Sequence, residues 1–104
     1  MPVSMSEFTG SAVMSAPTHT EVTCKNSSTV LVAANEKRKY LLVVNDSDTV
    51  CYLYLGGTAV ASKGIRLNAA GGSFEMSMQY GNLYRGAINC INATGDKTLL
   101  VTQA

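Results

Sequence analysis

The chain has 104 residues, the size of one ordinary domain, and a domain of that length buries roughly two thirds of its unfolded surface. With 46% hydrophobic residues it can build a core without disulfides or a metal, and a net charge of +1 excludes a strong electrostatic grip on nucleic acid or on an acidic membrane. Only 14% of the residues are charged, against about a quarter in typical soluble domains, so Ser, Thr, Asn, Gly and apolar groups must fill the surface, as suits a protein that covers much of itself with partners.

Residues 1–17 carry small polar residues, three scattered Met and no sustained period, with Gly10 and Pro17 interrupting. They read as an N-terminal arm that orders on a neighbouring molecule, with Met5, Phe8 and Met14 as adaptable apolar anchors. Residues 18–104 read as one domain. Thr18–Cys24 alternates, with Val22 and Cys24 on one side, and 25–28 is turn chemistry before a short apolar strand at 29–33.

The stretch 38–57 holds two β-rich runs, 40–44 and 50–55, separated by Asn45-Asp46-Ser47-Asp48-Thr49. It reads as strand, turn, strand: a hairpin closed by Gly56-Gly57. In the second run Cys51, Leu53 and Leu55 share the core face, and Tyr52 and Tyr54 share the other. Ile65 and Leu67 flank an outward Arg66. Residues 73–79 have a period of two, with Phe74, Met76 and Met78 inward. After a loop around Gly81, a strand at 86–93 turns inward Ile88 and Cys90. A tight turn with Gly95 at positive φ leads to a last strand at 98–102, with Leu99 and Val101 facing in. About eight short strands at regular spacing, with turn signals between them and no helix, predict an all-β antiparallel sandwich, immunoglobulin-like or jelly-roll-like.

Chemistry-bearing patterns are sparse. His19 is the single histidine, no G-x-S-x-G sequence is present, and no cluster of Cys and His has zinc-ligand spacing, so neither catalysis nor a cofactor is expected. Asp46 and Asp48 could form half of a calcium site, but Asn and Asp more commonly bond their own turn backbone. Cys24, Cys51 and Cys90 read as buried free thiols. Lys37-Arg38-Lys39 is the one basic cluster; it reads as a solvated strand entrance, with contact to an acidic partner as the alternative. Tyr52 and Tyr54, with Tyr80 and Tyr84 further on, suit an interface, a simple cover for the second sheet face, or sugar stacking. Neither an export signal nor an apolar run of about 18 residues is visible, so synthesis in a cytoplasm without a membrane span is expected.

The ordered series Asn35-x-x-Arg38-Lys39-Tyr40-Leu41-Leu42, Asn45-Asp46-Ser47-Asp48-Thr49 and Leu55-Gly56-Gly57-Thr58-Ala59-Val60 resembles small virion proteins of tailed bacteriophages. Gly64-Ile65-Arg66-Leu67-Asn68, Gly71-Gly72-Ser73-Phe74-Glu75 and Leu83-Tyr84-Arg85-Gly86-Ala87-Ile88 extend the likeness over residues 30–101. The resemblance implies a β-sandwich module on the particle exterior, made in the bacterial host cytoplasm. The leading expectation is a capsid decoration, or cement, protein that binds the major capsid protein or another virion protein. Such proteins bridge subunits, commonly as trimers, so a homo-oligomer is expected. Partner contact is expected from Met5, Phe8 and Met14, and secondarily from Arg38, Tyr52 and Tyr54. The alternatives are a neck, tail or head-fibre attachment component and a carbohydrate-binding module.

Overall fold

The computed structural model describes residues 16–104; Met5, Phe8 and Met14, the anchors expected in the arm, lie outside the described residues. Among the described residues the chain forms eight strands: β1 (Thr18–Cys24), β2 (Thr29–Val32), β3 (Tyr40–Asn45), β4 (Cys51–Leu55), β5 (Ile65–Leu67), β6 (Ser73–Ser77), β7 (Ile88–Asn92) and β8 (Lys97–Gln103). They make two four-stranded sheets: sheet 1 in the order β1-β8-β3-β6, and sheet 2 in the order β2-β7-β4-β5. Every pairing is antiparallel. The pairs β1·β8, β2·β7, β3·β6 and β4·β5 are nested in sequence and alternate between the sheets, which is the wrapping of a jelly roll. The all-β sandwich is thus present, in the second of the two forms expected.

Alternating burial along the strands positions the core. Leu41 and Val43 of β3, Met76 of β6, and Leu99 and Val101 of β8 face Leu53, Leu67, Ile88 and the thiols of sheet 2, all at most 1% exposed. Each such side chain contributes roughly 1.5–3 kcal/mol on burial, which outweighs the weak intrinsic preference of strands this short. A bulge between Val30 and Val32 turns both Leu31 and Val32 inward, so consecutive residues of an edge strand reach the core.

Three sequence expectations change. The stretch 38–57 is not a hairpin: β3 lies in sheet 1 and β4 in sheet 2, so residues 46–50 arch from one layer to the other. Asn45, fully buried, holds the arch by donating through Nδ2 to the carbonyls of Thr49 (2.7 Å) and Leu67 (3.1 Å), while its Oδ1 accepts from the Ser47 hydroxyl (2.6 Å). Leu55, expected in the core, is 38% exposed at the last position of β4, where the alternation runs past the rim of the sandwich. Met78 is 39% exposed, because β6 stops at Ser77 and the chain turns, with Gly81 N–H donating to the Met78 carbonyl at 3.2 Å.

The nested topology gives the sandwich two unlike ends. Connections 25–28, 46–50, 68–72 and 93–96 gather at the end where β3 stops. The longer connections 33–39, 56–64 and 78–87 start from the other end, where β1 begins and β8 finishes with Thr18 opposite Gln103.

Candidate interaction surface

Sheet 2 carries the predicted tyrosines on its outer face. Tyr52 sits beside Arg66 of β5 and Ile91 of β7, and Tyr54 sits beside Asn89. Both rings are half-buried. Connection 56–64 lies over this face: Asn89 Nδ2 donates to the Gly57 carbonyl, and Ala59 N–H donates to the Ser28 hydroxyl at 2.8 Å. Gly57 and Gly64 pack against the Tyr54 ring, where an added Cβ would stand 3.1 Å from Cε1 and 3.5 Å from Cδ2 respectively. Tyr54 is therefore first a platform for its own loop. A shallow open depression beside it is lined by Leu53, Tyr54, Leu55, Gly64 and Ile65. Val30 on β2 is 58% exposed, and Val60 in the covering loop is 44% exposed.

The outer face of sheet 1 carries a stripe that sequence reasoning did not single out. Leu42 and Val44 on β3 point away from the core and are half-buried, and Leu100 of β8, directly opposite Val44, is 36% exposed. Thr102, Thr98 and Ser73 lie around them in the ladder, and two carboxylates flank the stripe, Glu75 opposite Leu42 and Glu21 opposite Leu100. A signal was available: the run 40–44 is apolar without alternation, the pattern of a strand with two apolar faces. Reading it as half of a hairpin concealed that meaning.

At the edge of the same face, the Glu75 carboxylate accepts from two phenols, Tyr40 and Tyr80, the latter at 3.1 Å. The hydrogen bond to this anion, with burial and the carboxylate's field adding to it, pushes the Tyr40 phenol up to about 12. Tyr80 is raised for the same first reason. Tyr80 is 64% exposed, the most open of the large apolar side chains among the described residues. The Asn82 amide takes the place of a neighbouring strand against β6, donating to the Glu75 carbonyl and accepting from Ser77 N–H, both at 3.0 Å.

Arg38 is not on any surface. It is fully buried, which corrects both the solvated reading and the partner contact assigned to it. Its guanidinium donates to the carbonyls of Tyr84 (2.7 Å), Ala33 (2.8 Å) and Gly86 (3.2 Å) and to Gln103 Oε1 (3.1 Å). Burial lowers its pKa from the ordinary value, but an arginine keeps its proton, so a full charge is held by neutral acceptors alone. A rigid fork of donors is what lets one side chain gather two connections and the end of β8.

The remaining polar groups serve the frame. Asp48 pairs with Lys97 Nζ at 2.8 Å and accepts from the Thr49 hydroxyl, so the Asp-x-Asp turn is tied internally. His19 shares a hydrogen bond with the Thr102 hydroxyl (2.9 Å) in an exposed ladder position. Among the described residues no group of three or more His, Cys, Asp or Glu is placed to hold a metal ion. No helix among them is long and apolar enough to cross a membrane. The three cysteines are free and fully buried. Compared with family models, with curated proteins and with solved structures, the chain matches none.

Proposed function

We propose that the chain is a structural component of a tailed-phage virion, a non-enzymatic decoration module that binds the outside of the capsid and stabilises the shell. The observation that carries this reading is the outward stripe Leu42, Val44 and Leu100, on two adjacent central strands of sheet 1. An apolar stripe rimmed by hydroxyl side chains and two carboxylates suits the centre of a protein–protein contact. The resemblance over residues 30–101 and the low charge point the same way. Jelly rolls also recur in viral shells, although that argument is one of fold analogy alone.

The mechanism is mass action. A module that binds only the assembled lattice stabilises it by its binding free energy, and an oligomer multiplies the effect through effective concentration. The arm at residues 1–17 adds contact by ordering on the neighbour, with Met5, Phe8 and Met14 as its anchors.

The test is occupancy on purified capsids. Leu100→Lys, a change at an exposed position, is expected to lower occupancy about tenfold or more at fixed concentration, and undiminished binding removes the stripe from the reading. Deleting residues 1–17 tests the arm in the same assay. A density map of the particle separates decoration from the neck, tail or fibre alternative: copies across the whole lattice support the first, a single ring the second.

A second reading, binding of a host surface glycan, is favoured by one feature, the open Tyr80 ring beside the Glu75 carboxylate. A glycan array with the isolated protein tests it, and loss of any signal in Tyr80→Ala would locate it.

A further inference from the structure

Four strands stand at sheet edges: β1 and β6 in sheet 1, β2 and β5 in sheet 2. Three of them are blunted against further pairing. The Asn82 amide occupies the edge of β6, β5 is three residues long, and β2 has four residues with a bulge between Val30 and Val32. β1 carries none of these devices. It is seven residues long, keeps an unbroken register with β8, and exposes Thr18, His19, Thr20, Glu21 and Thr23. The ladder next to it fixes where its backbone groups point. Tyr40 and Ala104 exchange both N–H···O bonds (3.0 and 3.1 Å), and Asp46 N–H donates to the Thr98 carbonyl (3.2 Å). Even-numbered residues of β8 therefore turn their backbone groups to β3, and odd-numbered ones turn theirs to β1. Thr18, Thr20, Val22 and Cys24 lie opposite those odd-numbered residues. The N–H and C=O groups of His19, Glu21 and Thr23 then face outward along an open edge.

We propose that this edge docks β1 of a second copy of the chain, antiparallel, about a twofold axis that passes between the two Thr20 residues. Residues opposite each other in an antiparallel ladder share a face, so such an axis must fall on a residue rather than between two. Charge selects the residue. Centred on Thr20, His19 lies opposite the partner's Glu21 and Glu21 opposite the partner's His19. Both pairs use the outward backbone groups, and both side chains stand on the outer face with Leu100 and Thr102. Centred on Glu21, the strands would set two carboxylates directly against each other, which is destabilising. Centred on Val22, they would place Glu21 opposite Thr23 and leave it no cation. His19 is suited to the first arrangement: its Nδ1 shares a hydrogen bond with the Thr102 hydroxyl (2.9 Å), so Nε2 is the nitrogen that reaches the partner's carboxylate. Glu21 has no ion pair among the described residues.

Pairing of this kind joins the two copies of sheet 1 into one continuous sheet, β6-β3-β8-β1 running on into β1-β8-β3-β6 of the second copy. The axis stands perpendicular to the sheet, so the two outer faces point the same way. Leu100 is directly opposite Glu21, which places one apolar stripe on each side of the junction. A dimer would then offer two stripes to one surface, with the gain in avidity that follows. That consequence rests on the virion reading; the strand pairing does not.

The experiment is sedimentation equilibrium on the full-length chain from about 10 µM to about 1 mM, the range in which so small a contact associates. A reversible monomer–dimer equilibrium is expected. His19→Glu sets carboxylates opposite each other and should weaken it at least tenfold; adding Glu21→Lys to that variant should restore it, a recovery that a folding defect would not produce. Cross-linking reads the register. Opposed Cβ atoms at the axis stand about 4.5–5.5 Å apart, so Thr20→Cys should give a disulfide-linked dimer under mild oxidation. Glu21→Cys should not, nor should the wild type, whose own thiols are fully buried. A chain that stays monomeric at the highest concentration overturns the proposal, as does a trimer. So does a dimer indifferent to His19→Glu, or one that cross-links through Glu21→Cys in preference to Thr20→Cys. Amide exchange names the other occupant: protection of His19, Glu21 and Thr23 N–H in the dilute monomer would mean that residues 1–15 fill the edge, and would also overturn it.

Discussion

Where β3 begins, the long connections 33–39 and 78–87 close on a buried cation; where it stops, four short ones close on two buried amides. Both ends face the same demand, because a chain that crosses between sheets leaves backbone groups with no ladder partner. Arg38 only donates, and it serves an end that presents carbonyls. Asn92 both donates and accepts: it bonds the Cys24 carbonyl and takes Thr94 N–H (2.9 Å) and Gly95 N–H (2.7 Å), and so closes the corner of a four-residue turn. Short turns expose donors and acceptors together, and an amide matches both. Long loops satisfy their own N–H groups and leave carbonyls for a many-armed donor. No buried side-chain nitrogen or oxygen among the described residues lacks a partner.

The largest test of this contrast removes the cation. Arg38→Met strands three carbonyls and a side-chain amide oxygen, and is expected to lower unfolding free energy by about 4 kcal/mol in urea titration. Arg38→Lys should recover less than half of that, since one ammonium cannot reach four acceptors. Asn45→Ala, at the other end, is expected to cost about 2 kcal/mol. If the asparagine change proved the costlier, the cation would not be the stronger fastening and the contrast would fail.

Glycines sharpen it further. Gly56, at φ +84°, packs so closely on the Tyr84 hydroxyl that a Cβ would collide with it, whereas Gly95, at φ +134°, has nothing within 4 Å. Gly56→Ala is expected to cost about 2 kcal/mol and Gly95→Ala about 1 kcal/mol by thermal unfolding, the difference reflecting the collision. Tyr84→Phe in the Gly56→Ala background should return part of the loss.

The ends also titrate in opposite directions. Tyr40, near the long-connection end, has its folded pKa raised to about 12 by Glu75, above the ordinary phenol value. Its contribution to stability is complete below that ordinary value. It is lost as pH rises through the folded pKa, because the unfolded chain releases the proton first. Phenolate absorbance should show two late-titrating tyrosines, Tyr40 and Tyr80, that Glu75→Gln returns toward the ordinary range. At the short-connection end, the Lys97 ammonium and the Thr49 hydroxyl hold the Asp48 carboxyl below its ordinary value. That contribution is present above the ordinary carboxyl pKa and disappears as pH falls through the lowered one. Asp48 is fully exposed and salt screens the pair, so Asp48→Asn should leave the thermal midpoint unchanged at physiological ionic strength.

How much could be read in advance follows the same division. Alternation is a local signal, so the eight strands and the inward set Cys51, Leu53, Met76, Ile88, Leu99 and Val101 were legible. Asn45-Asp46-Ser47-Asp48-Thr49 was legible as a turn but not as an arch between layers. The same side chains bond the same nearby backbone in a hairpin, and only the pairing of β3 with β6 and β8 decides. Arg38 was misread because charge predicts exposure, and its four acceptors come from residues that lie 5, 46, 48 and 65 positions away. Of the candidate surface, the tyrosines of β4 were legible and the stripe on β3 was not, because a run of apolar residues does not say which face another molecule covers.

The nesting of the strand pairs has a consequence in time. Pairing can spread outward from β4·β5 through β3·β6 and β2·β7, each step closing only two further connections, although the final hydrogen bond from Thr18 to Gln103 spans 85 positions. On this order β1 joins last, and as an edge strand it is the first to leave. Amide exchange should then be fastest in β1 among the strands, and protection there equal to that in β4 would contradict this order. Each departure of β1 would uncover the edge of β8 and the buried Cys24 together, so both exposures would follow a single local clock.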